Sequence, residues 1–295
     1  MSGLLPAGLL QRLERLQVLA RRTFRGTGAG ERRSRQVGSW TEFRDHREYA
    51  PGDDLRHLDW NAFARLERLY LKRFHAQHDV TVHLIVDASA SMGFGAPQKI
   101  AQARMLAAAL AWVSLTSHDR ARLHVLGASP VQSTPAFVGR AGLRQLMAQL
   151  ALVDAAGTVS LGEAVTSVAR LLSEPGIVFL LSDFLSEGAE TAIERLTARR
   201  HQVHALRVLA PQELEPSIDD ALRADMELVD CETQGTIDVT LSPRMRAIYR
   251  ETLAAHEASL RAACRRTGAT LTLLSSADPV EAVVLRQLQA QGIVG

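Results

Sequence analysis

Thr81-Val82-His83-Leu84-Ile85-Val86-Asp87-Ala88-Ser89-Ala90-Ser91-Met92-Gly93 opens as an apolar run rich in β-branched residues. It then breaks into one carboxylate and two hydroxyls at alternate positions. A run of this length and composition predicts a strand buried on both faces, as in a parallel sheet. Asp87 then falls at the strand's carboxyl end, where open α/β sheets place their ligands. Gly93 and Gly95 permit a turn that would bring Asp87, Ser89 and Ser91 together. Such a set is hard-oxygen chemistry, suited to Mg²⁺, Ca²⁺ or Mn²⁺. The competing reading is a strand-to-helix turn in which Asp and Ser act as caps.

A second apolar run, Ile177-Val178-Phe179-Leu180-Leu181-Ser182-Asp183, also ends in a carboxylate. Two parallel strands ending in Asp at one edge would bring like charges together, which is costly without a cation between them. The other reading of Asp183 is a solvated cap. From residue 79 onward strands alternate with helices, among them the alanine-rich stretch from Pro97 to Thr116. The alternation predicts an α/β doubly wound, mostly parallel sheet of about five or six strands, a Rossmann-type three-layer architecture.

The 295 residues suffice for one large domain or two small ones. Their formal charge of +2 implies no polyanionic partner. Arg25 to Gly38 is a basic, glycine-rich stretch without interleaved aromatics, so no nucleic-acid partner is expected. Cys231 and Cys264 lack metal-like spacing. Residues 5 to 22 read as an amphipathic helix, with Leu9, Leu13, Leu16 and Ala20 on one face, interrupted by charge too often to span a bilayer. A cytoplasmic protein is expected. Residues 212 to 241 are rich in acid, from Glu213 and Glu215 to Asp238. They read as a solvated insertion holding a hairpin, or as a docking surface for a basic partner.

Between Phe43 and Trp60 charge alternates with aromatics, as in Arg47, Tyr49, Pro51, Gly52, Asp53, Asp54, Arg56, Asp59 and Trp60, followed by Ala64 and Arg65. These residue types fit a catalytic cluster. They fit better a plug in which acids and bases satisfy each other, with Arg56 and Asp59 buried and Trp60 in the core. The pattern Arg-x-Tyr-x-Pro-Gly-Asp-Asp-x-Arg-x-x-Asp-Trp resembles the hallmark of the bacterial domain-of-unknown-function family fifty-eight. Asp87-Ala88-Ser89-Ala90-Ser91 is similar to the Asp-x-Ser-x-Ser signature of the metal-ion-dependent adhesion site in von Willebrand factor A domains.

The resemblance implies a von Willebrand A-like domain over 79–295, preceded by a segment over 1–78 that docks on it. It implies a metal site of Asp87, Ser89, Ser91, Thr158 and Asp183, binding Mg²⁺ and alternatively Ca²⁺ or Mn²⁺. Ser160 is the alternate to Thr158, and its other reading is a helix cap boxed with Glu163. The resemblance further implies a protein-binding module that works with a MoxR-type AAA+ ATPase in assembling or activating client proteins. An Mg²⁺-dependent phosphohydrolase using Asp87 is the enzymatic alternative. Ser89 stands where that scheme needs a second Asp as general acid, and no catalytic motif is complete, so no catalytic residue is assigned.

Overall fold

The computed structural model describes residues 4–20, 43–48, 62–63, 69–74, 80–127, 130–215, 226–229, 235–239 and 242–295. The chain divides into two compact units, Thr27–Asp79 and a larger one made of Met1–Gly26 with Val80–Gly295. The larger unit begins with α1 (Ala7–Leu13). This helix is shorter than the expected 5–22. Beyond Leu13 the chain extends, and Gln17 and Leu19 donate their N–H groups to the carbonyls of Gly295 and Ile293. Pairing with the C-terminus replaces the continuing helix, while Leu9, Leu13 and Leu16 are buried as the pattern required.

In the smaller unit, β1 (Phe43–Glu48) pairs antiparallel with β2 (Tyr70–Phe74). These strands were not anticipated, because Arg44-Asp45-His46-Arg47-Glu48 offers no apolar alternation. Arg56, Asp59 and Trp60, with most of the charged-aromatic motif, lie outside the described residues.

The larger unit continues with β3 (Thr81–Asp87), a 3₁₀ turn over Ala90–Gly93, α2 (Lys99–Thr116), β4 (Arg120–Leu126), β5 (Gln132–Ser133), β6 (Phe137–Val138) and α3 (Gly139–Ala151). Next come α4 (Leu161–Leu171), β7 (Ile177–Ser182), α5 (Ala189–Ala198), β8 (Gln202–Leu209) and the short α6 (Pro211–Leu214). A hairpin pair, β9 (Met226–Val229) and β10 (Thr236–Val239), lies where the acidic insertion was expected to hold one. α7 (Pro243–Thr267), β11 (Thr270–Ser275) and α8 (Val280–Ala282), which runs into a π turn over Val283–Leu288, close the chain.

The main sheet runs β11-β8-β7-β3-β4-β5, with β6 also pairing β4. β3, β4, β7, β8 and β11 are parallel, and β5 and β6 are antiparallel additions at the edge. This is a doubly wound order. The chain reverses its winding direction between β3 and β7, which makes their carboxyl ends the switch point.

Alternation assigns the two faces. Val82, Leu84 and Val86 of β3 join Phe179, Leu181 and Leu206 against α1, α2 and α3. Ile85, Val178, Leu180 and Ala205 pack against α4, α5 and the Leu260 and Cys264 positions of α7. Both faces are covered, which is why β7 reads as an unbroken apolar run up to Ser182 and β3 departs from one before Asp87 only at Thr81 and His83, while β8 buries Gln202, His204 and Arg207 as well. No helix among the described residues is long and apolar enough to cross a membrane.

At the opposite end of β3 from Asp87, buried His83 and His124 share a hydrogen bond of 3.3 Å between Nδ1 and Nε2, and His124 Nδ1 bonds the Ser133 hydroxyl at 2.8 Å. Burial, then His124, His201 and Arg122, hold His83 down at about 3; burial and Arg122 do the same for His124. A lowered folded pKa means that the stability contribution is complete above the ordinary histidine range and drains as pH falls. Each histidine should cost about 2 kcal/mol between pH 6.5 and 5. Urea unfolding across that range should show a shallower loss in His83→Leu than in wild type; equal losses would remove His83 from the account.

Candidate functional site

Asp87 is the last residue of β3 and is buried. Its Oδ1 accepts from the Ser89 N–H at 3.0 Å, the local turn that Asp favours when a chain leaves a strand. Its Oδ2 accepts from the Ser182 hydroxyl at 2.6 Å. Ser89 and Ser91 place their hydroxyls 2.9 Å apart within the 3₁₀ segment that follows. The three oxygen-bearing side chains of the signature therefore do converge. Among the described residues no lysine or arginine pairs with Asp87. Burial, then the neighbouring Asp183, pushes its carboxyl up to about 6, against the pull of the Ser182 and Ser89 hydrogen bonds.

A second loop is bound to this one. Ala90 donates its N–H to the Gly157 carbonyl at 2.8 Å, and Ala156 donates to the Ala88 carbonyl at 2.8 Å. Gly157 has φ +78, and a Cβ there would stand 2.5 Å from the Gly127 carbonyl oxygen. Only glycine lets the loop pass this close. Thr158 is therefore carried next to the Asp87 loop, on an exposed position. Ser160 is the N-cap of α4, but its side chain makes no capping hydrogen bond, so the expected box with Glu163 does not form.

Asp183 reaches the same sheet edge, as expected, but its carboxylate is engaged. Oδ2 accepts from Lys99 Nζ at 2.7 Å and Oδ1 from the Leu185 N–H at 3.0 Å. Strand alternation explains this. In the parallel register Val86 lies opposite Leu181, so Asp87 stands beside Ser182. Asp183, one residue further, turns toward the face covered by α2, whose first residue is Lys99.

Lys99 is fully buried and also bonds Glu213 Oε1 at 2.6 Å. Burial works to lower the lysine's pKa, but Asp183 and Glu213 more than offset it, and the ammonium is held charged. Glu213, grouped in the sequence with a solvated acidic insertion, instead turns inward, and its Oε2 accepts from the Ala210 N–H at 2.7 Å. A second buried cation, Arg207, donates from Nε to the Asp183 carbonyl at 3.2 Å.

Ser182, Lys99, Glu213 and Arg207 escaped the sequence reading. The signal for Lys99 was a lone lysine at the head of an otherwise apolar, alanine-rich helix. Its partners lie 84 and 114 residues away, beyond the reach of any local pattern.

The donor set at Asp87 fits a hard divalent cation. It offers a buried carboxylate lacking a cationic partner among the described residues, two adjoining hydroxyls and a threonine loop alongside. Asp183 contributes charge to this edge but has both carboxylate oxygens committed within the protein.

A protein of Mycobacterium tuberculosis (strain H37Rv) and one of Mycobacterium bovis, both described as uncharacterized, are each 29% identical to this chain over 268 residues, covering 89% of it and 83% of their own length. Among solved structures, an aerotolerance-related membrane protein from Bacteroides fragilis aligns with TM-score 0.45 and 18% identity, over 72% of this chain and 98% of that one. The SpRpn10 VWA domain aligns with TM-score 0.41 and 9% identity, over 70% of this chain and 94% of that one. Residues 45–259 match the family described as "Protein of unknown function DUF58". With the match running from β1 through both strand-end aspartates into α7, this chain belongs to that family.

Proposed function

We propose that this chain is a non-catalytic, cytoplasmic protein-binding module whose strand-end site holds a divalent cation, Mg²⁺ or alternatively Ca²⁺ or Mn²⁺. Asp87, Ser89 and Ser91 would hold the ion, with Thr158 and Asp183 acting directly or through water. The observation that carries this reading is the buried Asp87 carboxylate, which Asp183 pushes further from ionisation and which finds no cationic partner among the described residues. A bound cation would supply that missing charge and offer an open position to a carboxylate of the partner.

The same sheet edge carries exposed apolar side chains after three neighbouring strands: Phe94 after β3, Leu185 after β7 and Leu214 at the end of α6 after β8. Apolar side chains grouped around a polar centre suit a protein partner. The partner we propose is a MoxR-type AAA+ ATPase, with the pair assembling or activating a client protein.

The test is binding of the purified chain to a MoxR-type ATPase from the same organism, followed by interferometry in Mg²⁺ and in EDTA. We expect binding that weakens at least tenfold in EDTA and in the Ser89→Ala/Ser91→Ala variant. Tight binding indifferent to both would remove the cation from the contact, and no binding in Mg²⁺ would remove this partner.

A further inference from the structure

Lys99 Nζ stands 2.7 Å from Asp183 Oδ2 and 2.6 Å from Glu213 Oε1, with its side chain only 1% exposed. An ammonium at such distances from two carboxylate oxygens does the electrostatic work of a bound metal ion while being covalently part of the chain. At the switch point Lys99 is shared by the Asp183 and Glu213 carboxylates, and Arg207 donates to the Asp183 carbonyl and faces Glu257 as well. Asp87 has no cationic partner among the described residues.

We propose that Lys99 is the charge-setting residue of the cation site. By holding Asp183 and Glu213 it keeps both carboxylates from coordinating a divalent ion directly, so the ion meets Asp87 and its two serines, with Asp183 reaching it only through water, and binds weakly until a partner adds a carboxylate. This rests on the reading of Asp87 as the centre of a cation site. It departs from the ligand set that the resemblance implies, in which Asp183 is free to serve the metal. Lys99 is thus a positioning residue, acting on the ion through Asp183 and Glu213. Such an arrangement ties cation capture to partner docking, since the second coordinating carboxylate needed for tight binding comes from outside the chain.

Mn²⁺ titration of the whole chain, followed by calorimetry and by the paramagnetic signal of the free ion, tests this. Lys99→Met preserves the stem but vacates the ammonium position, and we expect it to bind Mn²⁺ at least tenfold more tightly than wild type. Lys99→Arg keeps the charge and should stay close to wild type. Glu213→Gln removes a negative charge and should weaken binding several-fold, although Glu213 is not a ligand. A merely structural lysine predicts no such opposite movements.

Should Lys99→Met fail to fold, Glu213→Gln decides: weaker binding supports the proposal, and unchanged or tighter binding overturns it. If wild type binds Mn²⁺ and Lys99→Met binds no more tightly, the role of Lys99 falls while the cation site stands. If Lys99→Met alone binds, the lysine role stands and the wild-type cation site falls. If neither binds, both are overturned.

Discussion

Lys99→Met is expected to lower the stability of the EDTA-treated protein by about 3–5 kcal/mol, the cost of breaking a buried ion pair from one side. The substitution keeps an apolar stem of similar shape, so little packing is lost. What remains is a pair of buried carboxylates, Asp183 and Glu213, whose shared ammonium is gone. Each keeps one backbone hydrogen bond, from Leu185 and Ala210 respectively. Those bonds do not neutralise charge. Restoring neutrality by Lys99→Met/Asp183→Asn/Glu213→Gln should recover much of the loss, because removing all partners of a buried network costs far less than removing one. Equilibrium denaturation of the single and triple variants reads both effects. A loss below about 1 kcal/mol in Lys99→Met, the range of an exposed pair, would show that the bridge is not buried in solution.

The second large effect has the opposite sign. Asp87 is an acid whose folded pKa is raised from the ordinary 3.8 to about 6, by burial and then by Asp183. The folded state therefore favours the protonated carboxyl. Stability from this group is complete below about pH 3.8 and is lost as pH climbs through 6. At 1.36 kcal/mol per pKa unit the loss is roughly 3 kcal/mol above pH 6. Asp87→Asn cannot ionise and keeps an acceptor for the Ser89 N–H. In EDTA it should match wild type near pH 4 and exceed it by up to about 3 kcal/mol at pH 8. Subtracting the two unfolding curves at each pH isolates Asp87 from the histidines, which titrate in both proteins. If Asp87 were only a cap, the variant, which keeps that acceptor, would instead match wild type at every pH.

The layers of the sheet were legible because each rests on a local rule. β3 and β7 are largely apolar since both faces are covered, and the carboxyl-end placement of Asp87 follows from the doubly wound order; β8, with Gln202, His204 and Arg207 buried, fits that rule less well. Asp87, Ser89 and Ser91 converge because the chain turns at once after the strand, and that turn is written in consecutive residues. Asp183 shows where the local rule runs out. Two strands ending in Asp do put both residues at one edge, yet a shift of one residue decides the face. Ser182 took the place beside Asp87, and Asp183 turned to Lys99.

Glu213 shows the same limit in another form. Its neighbours in sequence are acidic, so composition pointed to solvent, whereas the chain leaving β8 folds Glu213 back over its own Ala210 N–H and onto Lys99. The charged strand pair β1–β2 was invisible because its sequence carries no apolar alternation.

Asp87 is proposed to centre a divalent-cation site. The most direct measurement is denaturation of wild type and Asp87→Asn at pH 8, each in EDTA and in millimolar Mg²⁺. Binding to the folded state alone adds RT ln(1 + [L]/Kd), about 1.4 kcal/mol at a tenfold excess over Kd. Mg²⁺ is expected to stabilise wild type by at least that amount and to leave Asp87→Asn unchanged. Equal responses of the two proteins to Mg²⁺, or none from wild type up to the highest concentration tried, would contradict that role for Asp87.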